Sequence, residues 1–173
     1  MSRPGAVTFK GAPLTLVGKP VTVGEQAPDF TMHCYEGGGM KVIRPADLQG
    51  KASFISVVPS LDTPVCQVQT RRFNQELASY GGKINALTVS LDLPFAMNRF
   101  CGAEDIKCMR SASDYQDRSF GVNWGMLIDE LKILARGIFV LDPHGKVVYA
   151  ELVKEVAEEP NYEAALAALK KVA

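Results

Sequence analysis

The stretch Phe54-Ile-Ser-Val-Val58-Pro59-Ser-Leu-Asp-Thr63-Pro64-Val65-Cys66 decides the fold. Ala52 to Val58 is apolar at nearly every position, the pattern of a strand buried on both faces, as in parallel sheets covered by helices. Thr63 followed by Pro64 reads as a helix N-cap with proline at the first helical position, where its missing N–H costs nothing. The helical pattern runs on to about Leu77 and places Cys66 in the first turn. Backbone N–H groups there lack intrahelical partners and the helix dipole is positive, so a thiolate is stabilised. The same place also suits a small apolar side chain packed beneath a sheet. Position alone leaves both readings open.

Further along, Cys66, Phe73, Leu77 and Tyr80 share one helix face, with Gln67, Gln69, Arg71, Arg72 and Glu76 between them. Gly81-Gly82 is expected to end the helix. Ile84 to Ser90 reads as a second buried strand, completing a βαβ unit with a right-handed crossover. Upstream, Val7–Phe9 and Leu14–Leu16 flank Gly11-Ala-Pro13 as a hairpin, taken as an N-terminal extension over residues 1–23. Phe30–Tyr35 and Met40–Ile43 read as strands around a glycine turn, followed by a helical turn at Arg44–Leu48.

Downstream, Phe95–Cys101 reads as one or two helical turns interrupted at Gly102, and Ile106–Met109 fits strand or helix. Ser113–Phe120 reads as helical with Gly121 as its stop and Trp124 in the loop beyond. Arg136 opens an apolar strand to Leu141. Asp142-Pro-His-Gly145 has the residues of a tight turn, and Lys146–Leu152 returns as a strand. A last helix carries Tyr162, Ala165, Leu166, Leu169 and Val172 on one stripe. The order predicts an α/β fold, a mixed sheet with helices on both faces and thioredoxin-like succession, in one domain spanning 1–173.

Bulk properties narrow the function. Nineteen basic and nineteen acidic side chains balance in 173 residues, and no basic run suggests a nucleic-acid surface. No apolar stretch approaches the roughly 20 residues of a membrane span. The first residues lack the apolar segment of a secretory signal, so a cytoplasmic protein is expected. The four cysteines, Cys34, Cys66, Cys101 and Cys108, form no CxxC pair, which argues against a zinc ribbon and against a thioredoxin-type dithiol. His33 and His144 make no ligand set, and His144 falls in the turn.

Two further residues stand out. Cys101 follows the second strand of the βαβ unit, so it and Cys66 are expected near the C-terminal ends of the parallel strands, where functional groups of α/β sheets collect. That makes Cys101 a candidate disulfide partner. Arg136 offers an always-charged, multi-donor group suited to a thiolate and a bound oxygen ligand, or else to a surface carboxylate.

At this point the chain resembles a known family. Pro59-x-x-x-Thr63-x-x-Cys66 matches the PxxxTxxC motif of the peroxiredoxins. The text around it, Arg72-Phe-Asn74, Asp92-Leu-Pro-Phe-Ala96, Arg99-Phe-Cys-Gly-Ala-Glu104 and Glu159-Pro-Asn-Tyr-Glu-Ala-Ala-Leu166, is similar to the atypical two-cysteine peroxiredoxins of bacteria, the thiol peroxidases. The resemblance implies that Cys66 is the peroxidatic cysteine, attacking hydrogen peroxide or an organic hydroperoxide and becoming a sulfenic acid. It implies that Thr63 sets its hydroxyl beside sulfur and peroxide, that Pro59 shields the thiolate, and that Arg136 stabilises negative charge.

Cys101 is then the resolving cysteine of an intrachain disulfide that thioredoxin reduces. A homodimer is the family habit, and neither metal nor cofactor is implied. Cys34 and Cys108 stand outside the motif and read as packed thiols, Cys108 becoming an alternative resolver if one helix carried both it and Cys101. Against the enzyme stand a redox sensor switched by the Cys66–Cys101 bridge and a thiol–disulfide oxidoreductase. The absent CxxC weighs against the latter.

Overall fold

Alternation along β5 (Ser53–Val57) organises the molecule, a computed structural model describing residues 1–173. Ile55 and Val57 point into one apolar cluster, while Phe54, with Ala52 and Val58 at the strand ends, points into another. Five consecutive buried residues need cover on both faces, and both faces have it. Seven strands make the main sheet. Besides β5 they are β3 (Met32–Glu36), β4 (Gly39–Ile43), β6 (Asn85–Ser90), β7 (Arg110–Ser113), β10 (Gly137–Leu141) and β11 (Val147–Leu152), in the order β11-β10-β5-β6-β7-β3-β4. β5, β6 and β7 are parallel, and the outer pairings are antiparallel.

One face is covered by α1 (Pro64–Leu77), α2 (Pro94–Ala103) and α4 (Tyr162–Lys170). Phe73 of α1 anchors this layer, its ring centroid 4.7 Å from that of Phe54 in β5 and 5.0 Å from that of Tyr162 in α4. Each such aromatic pair adds about 0.5–1.5 kcal/mol to simple burial. The other face is covered by short α3 (Ser119–Asn123) and by a second sheet, β1 (Ser2–Phe9), β2 (Ala12–Val17), β8 (Leu127–Ile128) and β9 (Ile133–Leu134). Val7 and Leu16 of this sheet are fully buried beside Phe120, Trp124 and Phe139. The fold is the thioredoxin-like mixed sheet with its N-terminal hairpin.

Several local expectations need correction. Gly102 does not interrupt α2, which runs on to Ala103; the break comes at Asp105, in left-handed backbone. The residues from Ile106 to Met109 are irregular, neither strand nor helix. The third parallel strand, β7, ends at Ser113, where the sequence suggested a helix beginning, and the helix itself starts only at Ser119. In β7, Ser111, Ala112 and Ser113 are small and mostly polar, so no apolar run marks it, yet all three are buried. Gly121 lies inside α3 and does not stop it; a Cβ there would come within 2.8 Å of the Leu134 side chain. Trp124 is no loop ornament: it is 1% exposed, caps α3 and stacks on Phe120. Gly81 interrupts a 3₁₀ stretch that prolongs the helix to Lys83, while α1 proper ends at Leu77.

Candidate active site

The turn after β5 delivers the motif. Pro59 is buried where the chain leaves the sheet, and α1 begins at Pro64 as its first residue, with Thr63 in extended backbone at the N-cap. The expected side-chain cap is absent. The Thr63 hydroxyl donates to the Ser60 carbonyl at 3.0 Å, so it ties the turn together and leaves the first N–H groups of the helix uncapped. That is the condition under which a helix start attracts negative charge.

Cys66 lies three residues into α1 and is fully buried as a free thiol. Arg136, in the residue just before β10, is 2% exposed and holds Sγ of Cys66 with Nη2 at 3.4 Å. Its other donors are also placed: Nη1 donates to Oε1 of Gln69 at 2.8 Å and Nε to the Val156 carbonyl at 2.9 Å. Gln69 in turn donates from Nε2 to Oγ of Ser56, next to the last residue of β5, at 2.8 Å. The surface-carboxylate alternative for Arg136 is therefore overturned. None of the ion pairs in the molecule involves this guanidinium. A buried cation with no carboxylate is costly by several kcal/mol, and the groups its donors meet here are the oxygens of Gln69 and Val156 and the sulfur of Cys66.

Above this arrangement opens an apolar pocket of about 290 Å³. The motif supplies Pro59, Thr63 and Val65 to its wall, Arg136 reaches it from the start of the segment leading into β10, and Phe9 and Val156 complete the lining. Phe9 comes from the N-terminal hairpin. Glu155 holds that hairpin in place, its carboxylate accepting the N–H groups of Lys10, Gly11 and Ala157 and the hydroxyl of Thr8. These bonds pull its carboxyl down to about 2, the backbone N–H of Gly11 contributing most.

Cys101 lies in α2, partly buried against the same apolar cluster as Cys66 and not bridged to it. Burial pushes its thiol up to about 11. Cys108 packs at the edge of that cluster, beyond the end of α2, so the two do not share a helix face. Cys34, in β3, is fully buried, and burial followed by nearby Glu36 raises its thiol.

The structure thus brings Pro59, Thr63, Cys66 and Arg136 to one place and leaves Cys101 on the neighbouring helix. Sequence reasoning missed the roles of Gln69, Phe9 and Val156. Gln69 had a readable signal, since it stands three residues after Cys66 on the same helix face. The backbone carbonyl of Val156 had none.

Comparison with known proteins gives the family. Residues 22–166 match the Redoxin family. A thiol peroxidase of Bacillus subtilis (strain 168) is 52% identical over 164 residues, covering 95% of this chain and 96% of that protein. One from Staphylococcus aureus (strain MRSA252) is 45% identical over 166 residues, covering 96% and 98%. Among solved structures, a peroxiredoxin-like protein from Aquifex aeolicus superposes with a TM-score of 0.87 at 36% identity, covering 99% of each chain. With a buried cysteine at a helix start, a carboxylate-free arginine on its sulfur and these relatives along nearly its whole length, the chain belongs to the redoxin family, among the thiol peroxidases.

Proposed function

We propose that the protein reduces hydrogen peroxide and organic hydroperoxides through Cys66, with Cys101 as resolving cysteine and thioredoxin as reductant. The observation that carries this reading is the contact of Arg136 Nη2 with Cys66 Sγ at 3.4 Å. The buried guanidinium has no carboxylate partner and stands against the sulfur that the reaction requires as a nucleophile. In the first step the Cys66 thiolate attacks the outer oxygen of R–O–O–H. An S–O bond forms, the O–O bond breaks, sulfur is oxidised to sulfenic acid, and RO⁻ leaves to take a proton as alcohol or water. Arg136 and the open N-terminus of α1 favour charge on sulfur and then on the departing oxygen. Pro59 keeps water from the thiolate, and Thr63 stands at the pocket wall to position the peroxide.

In the second step Cys101 attacks the sulfenic sulfur. The S–S bond forms and hydroxide leaves with the Cys101 proton as water. A thioredoxin dithiol then reduces the bridge by exchange. The closed first turn of α1 keeps Cys66 wholly buried, so that turn opens for Cys101 to reach it. The chain acts as one domain over residues 1–173, without metal or cofactor, in the thiol-reducing cytoplasm. A homodimer is part of the same proposal and rests on the family resemblance alone. Steady-state consumption of hydroperoxide with thioredoxin, thioredoxin reductase and NADPH tests the reading. Repeated turnover supports it; a single equivalent consumed per chain makes the protein a redox sensor instead.

A further inference from the structure

Asp92 belongs to a segment, Asp92-Leu-Pro-Phe-Ala96, that no part of the chemistry above uses, yet its side chain reaches into the motif turn. Oδ1 accepts the hydroxyl of Ser60 at 2.8 Å, and Oδ2 accepts the backbone N–H of Leu61 at 2.8 Å and the hydroxyl of Ser90 at 2.7 Å. Its own backbone is fixed as well, the N–H donating to Oγ of Ser90 at 3.1 Å and the carbonyl accepting the hydroxyl of Ser113. Ser90 ends β6 and Ser113 ends β7, so Asp92 is bolted to the rigid C-terminal edge of the parallel sheet.

From that bolt two paths lead out. One runs through Ser60 to Thr63, because the Ser60 carbonyl receives both the hydroxyl and the N–H of Thr63, at 3.0 and 3.2 Å. The other is covalent. Asp92 stands two residues before Pro94, the first residue of the helix that carries Cys101.

We infer that Asp92 is a positioning residue for both half-reactions: through Ser60 and Leu61 it holds the Pro59–Thr63 turn in the geometry that receives the peroxide, and it ties that turn to the head of α2 until the sulfenic acid has formed. The two hydrogen bonds from the turn give the link a direction. Intact, they keep Thr63, and so the start of α1, in register with the pocket. Released, they let the turn around Cys66 swing and open toward Cys101. Loosening the link therefore has opposite effects on the two steps. A residue that merely supports the fold would not separate them in this way.

The inference rests on the peroxidase reading above, so the parent rates come first. Cys66 oxidation by cumene hydroperoxide is followed in Cys101→Ser, where sulfenic acid accumulates and is trapped with dimedone for mass spectrometry. Closure of the bridge is followed in the chain with Cys101 intact. Into both backgrounds go Ser60→Ala, Ser60→Thr and Asp92→Asn. Ser60→Ala and Asp92→Asn are expected to slow Cys66 oxidation about tenfold, the effect of a slightly misplaced reacting group. Ser60→Ala removes the bond to Asp92 and also the acceptor of the Asp62 N–H at 3.2 Å, and both variants are expected to speed bridge closure about fivefold, the effect of roughly 1 kcal/mol of net hydrogen bonding. Ser60→Thr, which keeps the hydroxyl, restores both rates to within about twofold of the parent.

Asn85→Ala is the control, since it removes side-chain bonds to the Leu48 carbonyl and to Ser53 at the far end of β6. It lowers thermal stability and leaves both rates alone. If the parent is not oxidised, the peroxidase reading itself fails. If the parent is oxidised but Ser60→Ala changes neither rate, slows both, or is matched by Asn85→Ala, the role of Asp92 is overturned. The Ser60 pair decides the matter even if Asp92→Asn does not fold.

Discussion

Gln69→Met is the sharpest test of how Arg136 is held. The side chains are alike in length, so packing is largely kept, while both amide hydrogen bonds vanish. Arg136 Nη1 loses a 2.8 Å bond and Ser56 Oγ loses another, in surroundings where Gln69 and Ser56 are fully buried and Arg136 nearly so. A hydrogen bond to a charged group is worth about 1.5–3 kcal/mol and a neutral one about 1 kcal/mol. A loss of about 3 kcal/mol is therefore expected, which for a chain of this size lowers Tm by roughly 6 to 12 °C. The guanidinium keeps its bond to the Val156 carbonyl but is free to tilt about it, so Cys66 oxidation should fall about tenfold. Circular dichroism melts and dimedone-trapped oxidation rates measure the two effects. A Tm within about 2 °C of the parent with an unchanged oxidation rate would refute the claim that this network orients the arginine.

Other expectations follow from the same geometry. Cys66→Ser abolishes turnover, while Cys101→Ser leaves the first oxidation intact and stops recycling by thioredoxin, as read in separate single-turnover and coupled assays. Glu155 ionises more readily in the folded protein than in the unfolded chain, its carboxyl being lowered from 4.5 to about 2. Its stabilising effect is thus complete above about pH 4.5 and is lost as pH falls toward 2. Acid titration of the native protein should show a component in that window that is missing from Glu155→Gln. Phe9, 41% exposed, lines the pocket, and Phe9→Ala is expected to raise KM for cumene hydroperoxide about fivefold, the ~1 kcal/mol of an apolar side chain that the substrate covers only in part, with little change for hydrogen peroxide.

What could be read from the chain before its structure depended on the length of the pattern. Three apolar residues among the five buried positions of β5, a proline-started helix and the Asp142–Gly145 turn are local signals, and each appears where expected, down to Gly145 with its φ of +81°. β7 escaped because its packing comes from small residues between neighbouring strands, and Ser111–Ser113 carry no apolar period. The two-residue strands β8 and β9, which enlarge the hairpin's sheet, are too short to show any period. At the site, Cys66 and Thr63 were placed by capping logic. The hydroxyl of Thr63 nonetheless turns back to the Ser60 carbonyl, a partner within its own turn that capping logic does not consider. Arg136 was visible as a charged residue before an apolar strand; its burial was not, since that depends on Gln69 and Val156, brought together only by the fold.

The claim on which the rest depends is that Cys66 is oxidised first and Cys101 closes on it. Peptide mapping by mass spectrometry after one equivalent of hydroperoxide, with free thiols alkylated under denaturing conditions, tests it directly. The account predicts a single Cys66–Cys101 bridge, with Cys34 and Cys108 recovered alkylated. A bridge to Cys108 or Cys34, or a Cys66 recovered alkylated beside consumed peroxide, would contradict it.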